Sequence, residues 1–154
     1  TSSPRGTSEG VFGDGITERY DVDAAIDFAL TRGLTNIWLM GWSFGTELTI
    51  KYGFDKPVLG GILLSPPLHR ATNEDLQRWI GNPRRLVAIV PELDDYLQPE
   101  EAKQRFSLVP HAEVIGIEGA KHLWVGEKAT KTVLDEIIRV IRPECYPLPD
   151  SVVI

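Results

Sequence analysis

Four short apolar runs punctuate this chain, at residues 36–40, 58–65, 85–90 and 112–118. Three of them are almost continuously apolar, the pattern of strands buried on both faces. Between them the apolar positions recur every three or four residues, which predicts helices over 44–52, 73–80 and 100–108. Two longer helices bracket the set. In 17–32, Val22, Ala25, Ile26, Ala29 and Leu30 share a face, Asp21, Asp23 and Asp27 lie largely off it, and Gly33 stands where a C′ glycine would end the helix. In 127–141, Val133, Leu134, Ile137, Ile138 and Ile141 keep helical spacing, and Pro143 follows the end. Strands alternating with helices make βαβ units, so the expected fold is α/β: a largely parallel sheet with helices on both faces. Residues 1–15, rich in Gly, Ser, Pro and Asp, read as a loop, and 144–154, with Pro147 and Pro149, as a tail wrapping the surface. With no internal repeat, low-complexity segment or composition break, residues 1–154 read as a single domain.

Composition narrows the function. A chain of 154 residues can bury a real core, and 42% hydrophobic with 25% charged residues is the balance of a soluble globular protein. The net charge of −6, without a basic cluster, argues against a nucleic-acid surface. Cys145 is the sole cysteine, so no disulfide framework exists, and the three histidines lack ligand spacing. No Gly-x-Gly-x-x-Gly run occurs, so no cofactor is expected. No apolar stretch approaches the length of a membrane span. The chain begins at Thr1 with no visible signal peptide, which leaves the cytoplasm as the default location.

The chemistry concentrates in Gly41-Trp42-Ser43-Phe44-Gly45. Gly-x-Ser-x-Gly between a strand and a helix is the sequence form of a nucleophile elbow, a sharp turn that lifts a serine hydroxyl to its tip. Both glycines are expected to be required by the closeness of the backbones there, and the serine to sit in strained angles. In a parallel sheet the loops at the carboxyl ends of the strands form the site. Ser43 follows the first strand, Asp94 the third and His122 the fourth. A serine hydroxyl needs a base to take its proton, and a histidine held by a carboxylate supplies one. Asp95 competes with Asp94, and spacing alone does not separate them. His111 precedes a strand and belongs at the wrong end of the sheet, while His69 follows the second strand and could line a pocket. Glu47, on the elbow helix, reads as a surface or capping charge. Trp42, Trp79 and Trp124 could border an acyl pocket or pack in the core.

Over most of its length the sequence resembles the α/β-hydrolase family. Gly41-Trp42-Ser43-Phe44-Gly45 looks like the family's elbow, Asp94-Asp95-Tyr96-Leu97-Gln98-Pro99-Glu100 like its acid loop, and Gly119-Ala120-Lys121-His122-Leu123-Trp124 like its histidine loop. Arg5-Gly6-Thr7-Ser8-Glu9-Gly10 resembles a shortened form of the loop after the family's fourth strand. The resemblance implies a serine hydrolase of carboxylic esters or related acyl compounds, working through an acyl-enzyme. It implies Ser43 as nucleophile, His122 as base, Asp94 (by register with Tyr96, Leu97 and Pro99) as the triad acid, and the Phe44 amide as an oxyanion donor. Trp42 and Trp124 are the expected substrate contacts.

The departure is at the front, where family members have about four more strands and a loop giving the second oxyanion amide. The expectation is therefore a C-terminal part of the fold, incomplete at the N-terminus and inactive or nearly so alone, with a small-molecule acyl substrate when complete. An unpaired sheet edge would favour self-association. The alternative is a non-catalytic hydrolase-like fragment that serves as a binding or interaction module. The short stretch 66–84 leaves no room for a large lid domain.

Overall fold

The computed structural model describes residues 16–147, and residues 16–22 by backbone only. The segments 1–15 and 148–154, with the Arg5–Gly10 loop, the side chain of Val22 and most of the expected tail, lie outside the described residues. The elements are α1 (Ile16–Thr31), β1 (Trp38–Trp42), α2 (Phe44–Tyr52), β2 (Gly60–Leu64), α3 (Asn73–Gln77), β3 (Arg85–Pro91), α4 (Pro99–Phe106), β4 (Glu113–Ile117) and α5 (Glu127–Ile141), with 3-10 turns at Gly53–Asp55 and Pro143–Cys145.

The four strands form one parallel sheet in the order β1-β2-β3-β4. Neighbouring parallel strands joined by right-handed crossovers put every connecting helix on the same side. Accordingly α2, α3 and α4 share one core with Leu63, Leu86, Ala88 and Val90, built around Ile50, Leu76, Trp79 and Phe106. After β4 the chain is free to return on the other side. There α5 buries Val133, Ile137 and Val140 against Ile62, Val87, Ile89 and Ile117. Alternation along β3 sends Leu86, Ala88 and Val90 one way and Val87 and Ile89 the other. Helices thus cover both faces.

The boundaries differ from the sequence reading where packing outweighs pattern. β1 runs to Trp42 rather than ending at Met40, because Gly41 and Trp42 still pair with Leu63 and Leu64. β2 is shorter than the apolar run 58–65, and α3 stops at Gln77, three residues early, in turns that bring Trp79 into the core. α1 ends as expected: Gly33 has φ +77°, its N–H bonds to the Leu30 carbonyl, and Leu34 N–H bonds to that of Ala29. Its apolar face is another matter. Ile26 is buried, but Ala25 and Leu30 are exposed, as is Phe28. β1 is an edge strand among the described residues, with Met40 55% exposed, so this corner does not cover the helix as its spacing implied.

Register decides what the carboxyl edge presents. Ser43 N–H bonds to Leu64 O at 3.0 Å, Ser65 N–H to Ile89 O at 3.0 Å, and Glu92 N–H to Ile117 O at 2.9 Å. The ladder therefore runs one residue past β1, β2 and β3 before each chain turns away. That brings Ser43, Ser65 and the loops after β3 and β4 to a common edge.

Candidate active site

Ser43 is the single residue between β1 and α2, with φ +53° and ψ −114°. A positive φ in a residue with a Cβ costs on the order of 1–3 kcal/mol and persists only where its surroundings hold it. Here the holders are visible. Thr46 turns both its backbone N–H (3.0 Å) and its hydroxyl (2.6 Å) onto the Ser43 carbonyl. Gly41 lets the helix come this close: a Cβ on it would lie 2.3 Å from the Gly45 carbonyl oxygen and 2.7 Å from Thr46 N. Gly45 differs from the expectation, since a Cβ there would meet no described atom within 4 Å. The first glycine of the motif is sterically required, and the second is not required by anything described.

The structure brings Ser43, His122 and Asp94 into one hydrogen-bonded line. Ser43 Oγ is 3.0 Å from His122 Nε2, and His122 Nδ1 is 2.8 Å from Asp94 Oδ2. Asp94 is almost fully buried, its side chain 1% exposed, whereas Asp95 is exposed. The buried carboxylate is satisfied on its other oxygen, where Oδ1 accepts from the Tyr96 N–H at 2.7 Å and, more weakly, from Leu97 at 3.4 Å. In the tautomer with the proton on Nδ1, that nitrogen donates to Asp94 and Nε2 is left to accept from the serine hydroxyl. Geometry thus separates the two aspartates that spacing left level.

Aromatic rings enclose the imidazole. The Tyr96 ring meets it edge-on at 4.7 Å, and Trp42 lies tilted at 5.9 Å. His69 reaches this cluster through Tyr96, at 5.5 Å, without touching the line of three. His111 sits at the amino end of the sheet, its Nε2 2.9 Å from the Arg84 carbonyl. The three tryptophans separate. Trp79 is wholly buried and donates to Ile50 O at 2.9 Å. Trp42 is 38% exposed at the site. Trp124, at φ +53°, packs against the α5-side core, and its buried indole N–H has no hydrogen-bond partner among the described residues.

Two polar residues have roles that the sequence reading missed or misplaced. Glu47 is no surface charge: it is 2% exposed, and its Oε1 accepts the N–H groups of Arg70 (2.6 Å) and Ala71 (3.2 Å). It ties the loop after β2 to the elbow helix. It lies in the unbroken buried run from Thr46 to Ile50, where a carboxylate must find donors, and its sequence neighbours gave no signal of that burial. Ser65, 1% exposed, donates its hydroxyl to the His122 carbonyl at 3.1 Å. Its signal was a polar residue closing an apolar strand at the site edge. Among the described residues no group of three or more His, Cys, Asp or Glu could hold a metal ion. No described helix is long and apolar enough to cross a membrane. A shallow recess of about 200 Å³ between α4 and the start of β4 lies at the opposite end of the sheet from Ser43.

No family model matches the sequence, and no curated protein matches it. Solved structures do match. A serine hydrolase homologue from Coxiella burnetii superposes with a TM-score of 0.77 at 20% identity, over 91% of this chain and 66% of that one. A serine hydrolase without a lid from Xanthomonas campestris gives 0.75 at 19% identity, over 96% and 66%. An esterase from Pyrococcus furiosus gives 0.66 at 18% identity, over 88% and 67%. The chain spans just under two thirds of the length of the first two, at 66%. At identities this low the likeness lies in the arrangement of strands and helices, and by that arrangement the chain has the α/β-hydrolase fold.

Proposed function

We propose that this chain carries the reacting centre of a serine hydrolase that cleaves a carboxylic ester or related acyl compound through an acyl-enzyme. The observation that supports it most is the line Ser43–His122–Asp94, with contacts of 3.0 and 2.8 Å. Ser43 Oγ attacks the acyl carbon while His122 Nε2 takes its proton. Asp94 holds the ring in that tautomer and stabilises the imidazolium that forms. The Phe44 backbone amide, next after the nucleophile, is the proposed donor to the oxyanion. As the intermediate collapses, His122 returns the proton to the departing alcohol, and water then repeats the sequence on the acyl-enzyme.

Trp42 and Tyr96, 38% and 54% exposed beside the imidazole, favour an apolar acyl group along this rim. Trp124 enters the proposal as an anchor of the histidine loop, since its ring packs against the α5-side core. Covalent labelling with an alkyl fluorophosphonate tests the reading. One adduct is expected on the wild-type chain and none on Ser43→Ala, and equal labelling of both would overturn the assignment.

A further inference from the structure

The hydrogen bonds at His122 reach beyond its ring. Its carbonyl oxygen accepts two side-chain donors at once, the Trp42 indole N–H at 3.2 Å and the Ser65 hydroxyl at 3.1 Å. The donors come from different strands. Trp42 ends β1 and is covalently next to Ser43, while Ser65 directly follows β2. Both carbonyl lone pairs are thereby used by groups fixed to the sheet.

This matters because the loop bearing His122 has little regular structure of its own. Between β4 and α5 it passes through Gly119 (φ +71°), Trp124 (φ +53°) and Gly126 (φ +96°). Among the described residues its backbone–backbone hydrogen bonds are local or go to the loop after β3, as in Leu93 N–H to Ala120 O at 2.9 Å. The His122 carbonyl is where the first two strands grip it directly. Ser65 holds its place under strain: φ is +52°, and the residue is 1% exposed with its N–H on the Ile89 carbonyl. A buried serine kept in the left-handed region, with its hydroxyl on a neighbouring loop, marks a site where the surroundings over-determine the backbone.

We propose that Trp42 and Ser65 are positioning residues. Their shared grip on the His122 carbonyl sets where the imidazole stands relative to Ser43. The assignment rests on the reading of Ser43 and His122 as nucleophile and base, and it gives Trp42 and Ser65 a role that acts through the backbone of the base, separate from Trp42's place on the acyl rim. Trp42 has a special place in it, because one residue joins the elbow covalently and the histidine loop by a hydrogen bond. Movement of the elbow would carry the base with it.

Trp42→Phe keeps a ring and removes the N–H; Ser65→Ala removes only the hydroxyl. Each, with the double variant, is compared with wild type in fluorophosphonate labelling rate and in the NMR signal of the His122 Nδ1 proton. Each single change is expected to lower the labelling rate about three- to tenfold, the worth of one neutral hydrogen bond. The double variant should fall by more than the product of the two, since either donor alone still holds the carbonyl. The Nδ1 proton, sharp in wild type, should broaden in the singles and vanish into solvent exchange in the double variant, with circular dichroism unchanged. A merely structural role would lower the melting temperature and leave that proton as sharp as in wild type. Unchanged labelling and an unchanged proton signal in the folded double variant would overturn the proposal. Absence of Ser43-dependent labelling in wild type would overturn the functional reading instead, and the proton signal would still decide the positioning.

Discussion

Gly41→Ala is the sharpest test of how the elbow is built. The added methyl would stand 2.3 Å from the Gly45 carbonyl oxygen, 2.4 Å from its carbonyl carbon and 2.7 Å from Thr46 N. All three are backbone atoms in the first turn of α2, so no side chain can swing aside. Ordinary carbon contacts lie at about 3.5–4.0 Å, so β1 and α2 must separate by roughly 1 Å. Overpacking of a tight core costs about 1–3 kcal/mol, and a clash with backbone alone belongs at the upper end, about 3 kcal/mol. For a domain of this size that lowers the melting temperature by roughly 6–12 °C. Gly45→Ala is the matched control. It meets no described atom within 4 Å and replaces glycine by the best helix former, so it should be neutral or stabilise by up to about 1 kcal/mol. Urea unfolding followed by circular dichroism, with thermal melts alongside, measures both. Equal costs for the two alanines, or a Gly41→Ala protein within about 0.5 kcal/mol of wild type, would refute the close-approach account.

Three further outcomes follow from the site and its supports. Asp94→Asn should cut fluorophosphonate labelling by about 10⁴-fold, as loss of the tautomer-holding carboxylate does in other triads, while Asp95→Asn stays within about twofold; a reversed order would exchange their roles. Glu47→Ala strands the Arg70 and Ala71 N–H groups and should cost about 2–4 kcal/mol in urea unfolding. Glu47→Gln, which keeps an acceptor, should cost clearly less, and equal losses would contradict the clamp. Trp124→Phe deletes a buried N–H that has no partner among the described residues, so stability should hold or rise by about 1 kcal/mol; a loss above roughly 1.5 kcal/mol would contradict an unsatisfied indole nitrogen.

The α/β alternation was legible because each buried strand is a short apolar run set off from helical spacing, and α2 and α5 begin and end where the pattern puts them. The candidate site was legible as three chemically suited residues in three carboxyl-end loops. Pattern could not tell Asp94 from Asp95, because neighbours in a loop differ only in which way the turn faces them. In the structure it is Asp94 whose Oδ2 lies 2.8 Å from His122 Nδ1, while its Oδ1 takes the N–H groups of Tyr96 and Leu97. Glu47 and Ser65 escaped for a related reason. Their partners lie 23 and 57 residues away, and no local spacing encodes a contact made by the fold. α1 failed in the opposite sense: its spacing was right for a buried face, but burial also needs something opposite, which spacing does not supply.

Intact-mass spectrometry of the folded chain after prolonged incubation with an alkyl fluorophosphonate, beside Ser43→Ala, tests the central claim most directly. The account predicts one phosphonyl adduct on the wild-type chain, mapped to the peptide that contains Ser43, and no adduct on the variant. A folded wild-type chain that gains no adduct, or a Ser43→Ala chain that gains the same one, would contradict it.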